Sequence, residues 1–103
     1  MNSYRISRQQ RIILEILEKR KQRSGQGYDY WALLDLVRQS KGMSRVNKAF
    51  VSSFGRSIKN LLSKGWISTY AHSFGQGRGY YTRMFDIQIS DTGLFVIKNR
   101  AVR

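Results

Sequence analysis

Cysteine and proline are both absent from the 103-residue chain. Without cysteine there is no disulfide framework, no thiolate nucleophile and no cysteine-based zinc site, and a cytoplasmic location is the simplest expectation. Without proline, the punctuation of the chain falls to its glycines. Acidic residues are scarce: six Asp and Glu stand against nineteen Lys and Arg, a formal net charge of +13. No Asp or Glu occurs from residue 36 to residue 85. Long apolar runs are missing too. The N-terminal stretch MNSYRISRQQRIILEILEKR holds a short apolar cluster that Glu15 interrupts, too short for a signal-peptide core or a membrane span. No internal repeat or low-complexity tract appears.

These shortages narrow the chemistry. Glu15, Glu18, Asp29, Asp35, Asp86 and Asp91 are scattered over the chain with no convergent pair, and His72 is the only histidine, with no neighbouring carboxylate. Neither a catalytic centre nor a metal site is expected, and no cofactor. The segment FGQGRG is not a dinucleotide fingerprint, because Tyr80 stands where the third glycine belongs and no helix follows. Against these exclusions stands the positive charge, which repels itself unless a polyanion or an anionic surface is near. Nucleic acid is the leading partner and no membrane span is foreseen. A chain of this length buries one modest core, so residues 1–103 are read as a single domain.

The local pattern is mostly helical. Ser7 and Gln10 have capping-box spacing and predict a helix from near residue 8. Ile13, Ile16 and Leu17 give it one buried face, which Arg20 interrupts before the basic run KRKQR and a stop at Gly25. Ile12 and Leu14 flank that face and are expected to stay partly exposed, apolar surface that would serve a homodimer. Asp29 caps a second helix, YWALLDLVRQS, burying Leu33, Leu34 and Val37 and closed by Gly42. A third helix is drawn from SRVNKAFVSSFGRSIKNLLSKG. At about 100° per residue, Val46, Phe50, Phe54, Ile58, Leu61 and Leu62 share one side. Arg45, Lys48, Ser52, Arg56, Lys59 and Ser63 share the other, a basic stripe. Lys64 and Gly65 end it.

Trp66 to Ser73 and Tyr80 to Ser90 alternate as strands, joined by the glycine-rich FGQGRG. Folded symmetrically about Gly77, this hairpin would set Ile67 opposite Ile87, Thr69 opposite Phe85 and Ala71 opposite Arg83. Its base would be apolar and its tip, carrying Arg78, would project. SDTGLFVIKNR then predicts a terminal helix.

The order helix, helix, helix, hairpin, helix resembles the winged-helix variant of the helix-turn-helix fold, an α+β and mostly helical class. GRSIKNLLSKGWI, Gly55 to Ile67, is similar to the recognition-helix end and first wing strand of MarR-like bacterial and archaeal regulators. ISDTGLFVI, Ile89 to Ile97, resembles the pattern LTxxGxxL that follows the wing in that group. Two features depart from it: glycines around Arg78 replace the acidic-plus-Arg wing signature, and the terminal segments are short for dimerisation helices.

The resemblance implies a double-stranded DNA-binding protein, most simply a transcriptional regulator; viral and plasmid replication or partition factors share the fold. The expected contacts are Arg45, Lys48, Ser52, Arg56 and Lys59 on the third helix, with Arg78 and Arg83 on the hairpin. An α-helix fits the major groove, where Arg and Ser meet base edges, and Arg78 would enter a narrow minor groove. The alternative partner is RNA, as for a ribosome-associated basic protein.

Overall fold

A computed structural model describes residues 6–74 and 81–101. Ser7 opens α1 (Arg8–Ser24): its hydroxyl accepts from the Gln10 backbone while the Gln10 side chain accepts from the Ser7 backbone, so the foreseen capping box is formed. Asp29 caps α2 (Tyr30–Ser40) by accepting from Trp31 N–H. Asn47 caps α3 (Lys48–Ser63) by accepting from Phe50 N–H at 2.8 Å. Two antiparallel strands, β1 (Ile67–Phe74) and β2 (Tyr81–Ile89), follow, and α4 (Asp91–Ala101) ends the fold. The class is α+β and mostly helical, in the expected order.

Helix α3 starts later than the sequence pattern suggested. Asn47 is extended, at φ −130° and ψ 168°, and its side chain occupies the free amide of the first turn. Arg45 and Val46 therefore precede the helix, and Val46 is exposed instead of belonging to the buried face. The helix is continuous through Gly55.

Helices α2 and α3 end by one device. Trp66 N–H donates to Leu61 C=O and Gly65 N–H to Leu62 C=O, both at 3.0 Å, and Gly65 sits at φ +73°. This is a Schellman closure, in which glycine occupies the left-handed position without steric cost and the residue after it packs back on the helix. Trp66 and Leu61 are both buried. Helix α2 ends the same way, with Gly42 N–H on Gln39 C=O and Met43 N–H on Arg38 C=O.

The core joins all the helices to the base of the hairpin. Its fully buried members include Ile13, Leu14 and Leu17 of α1, Leu33 and Val37 of α2, Phe54, Ile58 and Leu61 of α3, Ile87 and Ile89 of β2, and Val96 of α4. Helix α1 is central, packed against α2, α3, α4 and β2. That position corrects the expectation for Leu14, which is 0 % exposed, whereas Ile12 stays partly exposed as foreseen while packing against the core. A helix surrounded by partners buries a wider stripe than one lying on a surface.

The hairpin register also differs from symmetry about Gly77. Ile67 pairs with Ile89, Ser68 with Gln88, Tyr70 with Phe85 and Ala71 with Met84, with an irregularity between Ser68 and Tyr70. Two residues of β2, Asp86 and Ile87, stand opposite Thr69 alone, which is a bulge. Asp86 takes φ 50°, tolerable for Asp, and its carboxylate accepts from Gly27 N–H at 2.8 Å and from the Gln88 amide. Thr69 Oγ1 donates to Phe85 C=O at 2.9 Å. Ile87 exchanges both backbone hydrogen bonds with Tyr28, at 2.8 and 3.0 Å, so the segment between α1 and α2 adds a one-residue third member to the sheet.

At the start of α4, Ser90 Oγ accepts from Gly93 N–H and donates to Gly65 C=O, while Ser90 N–H donates to Trp66 C=O. Gly93 lies so near Trp66 C=O that a Cβ there would overlap the carbonyl oxygen. Gly93→Ala should therefore destabilise the fold by about 1–3 kcal/mol through overpacking. Ile87→Ala should cost about 2–5 kcal/mol through its cavity. Urea titration of both variants checks these values, and a wild-type midpoint for Gly93→Ala would refute the close approach.

Candidate nucleic-acid interface

The two faces of α3 are cleanly divided. Phe50, Phe54, Ile58 and Leu61 are buried, whereas Lys48, Ser52, Arg56, Lys59 and Ser63 are exposed. At the helical step of about 100° per residue, those five exposed side chains fall within one arc opposite the core. Lys48, Ser52, Arg56 and Lys59 are thus brought together as foreseen. Arg45 lies exposed on the approach to the helix, off the stripe itself, because Asn47 begins the helix after it. Arg83 lies in β2 with its backbone opposite His72. Arg78 and the rest of FGQGRG lie outside the described residues.

A buried amide sets how α3 is turned. Gln9 is 7 % exposed, and its Nε2 donates to Ser53 Oγ at 3.1 Å and to Ser57 Oγ at 2.9 Å. Its Oε1 accepts from Lys41 Nζ at 2.7 Å. Ser53 and Ser57 lie one helical turn apart, so a single amide grips the edge of α3 at two levels. The opposite edge carries Val51 and Leu62, partly buried against the core. Between these edges the polar arc faces outward. Sequence reasoning passed over Gln9, although it stands four residues before Ile13 on the buried stripe of α1. Four-residue spacing of two serines beside the apolar face of α3 was the matching signal.

Rings fix the other end of the packing. Tyr30 meets Phe54 edge-on at 5.1 Å and Trp31 at 5.3 Å, and Phe50 lies 6.2 Å from Phe54. Burial pushes the Tyr30 hydroxyl above its ordinary pKa.

Several basic residues are engaged by contacts with the rest of the fold. Arg38 bridges Asp35, at 2.9 Å, to Met43 C=O and so braces the turn between α2 and α3. Hydrogen bonds from Arg38 and Gln39 hold the Asp35 carboxyl below its usual pKa. Arg20 lies 4.7 Å over the Tyr28 ring and its Nε donates to Gly27 C=O. Lys21 Nζ donates to Ile89 C=O, and Lys64 sits 4.6 Å over Trp66. Two members of the KRKQR run, Arg20 and Lys21, thus make contacts within the fold. By contrast Arg45, Lys48, Arg56 and Lys59 form no ion pair with any described residue.

An open hollow of about 520 Å³ lies where the chain enters α3, lined by Val46, Asn47, Lys48, Val51 and Ser52. Among the described residues, no group of three or more His, Cys, Asp or Glu is placed to hold a metal, and no helix is long and apolar enough to cross a membrane. The chain matches no protein-family model, no curated protein and no solved structure.

Gln9→Leu keeps most of the volume but removes the partner of two half-buried hydroxyls and of the Lys41 ammonium. It should cost about 1–3 kcal/mol, the penalty of unsatisfied buried polar groups. Combined with Ser57→Ala, the loss should be smaller than the sum of the two single losses, because both changes break one network. Denaturant unfolding of the double-mutant cycle measures this, and strict additivity would refute the grip of Gln9 on α3.

Proposed function

We propose that the chain is a sequence-specific double-stranded DNA-binding protein of the winged-helix kind, most simply a transcriptional regulator. It acts by binding and not by catalysis, in the cytoplasm. The observation that carries this reading is the arc of Lys48, Ser52, Arg56 and Lys59: exposed, without acidic partners among the described residues, on a helix whose other face is the core.

Helix α3 then lies in the major groove, which is wide enough to admit one helix. Arg56 and Ser52 approach base edges, Arg as a bidentate donor to guanine and Ser as a less discriminating partner. Lys48, Lys59 and Arg45 meet phosphates, which set register without reading sequence. The β1–β2 hairpin flanks the helix as the wing. The resemblance assigns Arg83 and Arg78 as further contacts to the backbone or the adjacent minor groove. The absence of Asp and Glu from residue 36 to residue 85 removes repulsion along the whole of that approach.

Duplex DNA should bind with steep salt dependence, the slope of log affinity against log salt lying at about −4 to −8, or roughly 0.9 per phosphate neutralised. Titrations against duplex DNA, single-stranded DNA and structured RNA at matched salt test this. Tighter binding to RNA would replace the DNA reading with an RNA-binding one.

Arg56→Ala and Ser52→Ala should change discrimination between sites by about 1–3 kcal/mol, whereas Lys59→Ala should weaken all sequences alike and lower the salt slope by about 1. If all three produce the same uniform loss, α3 lies along the backbone and does not read the groove.

A further inference from the structure

The hollow at the entry to α3 is lined by apolar residues together with one cation, Lys48. Two of its five lining residues are valines. Val46 precedes the N-cap residue Asn47, and Val51 is the fourth residue of the helix, the spacing at which an apolar pair fixes the chain's angle of entry. That staple explains why the two adjoin. It does not cover Val46, which is 46 % exposed, while Val51 packs partly against the core. Asn47 is held in place, its Oδ1 accepting from Phe50 N–H. Lys48 and Ser52, which complete the lining, belong to the polar arc.

An apolar surface set into a basic face suits an apolar group carried on a polyanion. The major groove offers one such group, the 5-methyl of thymine, and Val is of the apolar kind that contacts it. We propose that Val46, backed by Val51, is a specificity-determining contact for the methyl group of a thymine at the edge of the site that α3 reads. The inference rests on the duplex-DNA reading and adds to it a base preference and the residue responsible. Lys48 beside the hollow and the lack of any acid from residue 36 to residue 85 favour this occupant over an apolar protein segment, which would leave the Lys48 charge uncompensated.

The test begins by selecting bound duplexes from a randomised pool with the full-length protein. The preferred duplex is remade with deoxyuridine in place of each thymine in turn, which deletes only the methyl group. For the wild type, one thymine position should weaken binding about fourfold on replacement, the worth of one buried methyl group. Val46→Ala should bind the thymine and deoxyuridine forms of that duplex equally, with circular dichroism confirming that it is folded. Loss of the staple alone would lower the unfolding midpoint and leave the response to the methyl group intact.

A wild-type scan with no methyl-sensitive position overturns the assignment, and so does a Val46→Ala protein that keeps the wild-type sensitivity; both leave duplex binding standing. Failure of the pool to yield any duplex preferred over the starting mixture overturns the DNA reading, and this inference with it.

Discussion

The orientation of the whole polar surface depends on one buried amide. An amide removed from water must satisfy its donors and its acceptor or lose stability, and Gln9 does so with Ser53, Ser57 and Lys41. A hydrophobic face alone tolerates small rotations, because apolar contact is non-directional. Hydrogen bonds at two levels of α3 do not. A turn of α3 by a single residue position, about 100°, would break both bonds and carry Phe54 out of the core. The amide and the rings therefore agree on one rotation, and that rotation presents Lys48, Ser52, Arg56 and Lys59 to solvent.

The hairpin is tied to the same helix through a second polar junction. Trp66 C=O accepts from Ser90 N–H, Ser90 Oγ spans Gly65 C=O and Gly93 N–H, and Gly93 lets α4 approach the Trp66 backbone. The end of α3, the base of the hairpin and the start of α4 thus meet at one point. Below it, Tyr28 pairs with Ile87 and Asp86 holds Gly27. These contacts fix the direction in which the hairpin leaves the core. At Tyr70, 65 % exposed, it has already left. In the DNA reading, helix and wing need this fixed mutual geometry to engage one duplex together, since positioning contacts act only where they are held.

Net charge is a poor guide to where a polyanion would bind, because the positive residues do different work. Arg20, Lys21, Arg38, Lys41 and Lys64 brace turns, cover rings or satisfy carbonyls and an amide within the fold. Arg38 has its charge compensated by Asp35. Those of α3 have no such duty among the described residues, and a charge without one remains available to an external partner. The hollow beside Lys48 adds an apolar element to that face.

Local chemistry was legible from residue order alone. The capping box at Ser7, the cap at Asp29, the glycine stops at Gly25, Gly42 and Gly65 and the apolar stripe Phe50, Phe54, Ile58 and Leu61 all depend on neighbours within one or two helical turns, so their signals lie within one window of sequence. The basic arc of α3 followed from the same periodicity. What residue order left open are relations between distant segments. Which helix is central decides that Leu14 is buried, and Asn47's hydrogen bond decides that Arg45 and Val46 stand before the helix instead of on it. The bulge at Asp86 shifts the strand register, and its two residues are held by a segment nearly sixty residues away: Gly27 N–H donates to the Asp86 carboxylate and Tyr28 pairs with Ile87. Gln9 finds its serines across a similar span. Periodicity fixes which face of a helix is apolar. The directional demands of buried polar groups, met only when the chain closes on itself, decide where that face points.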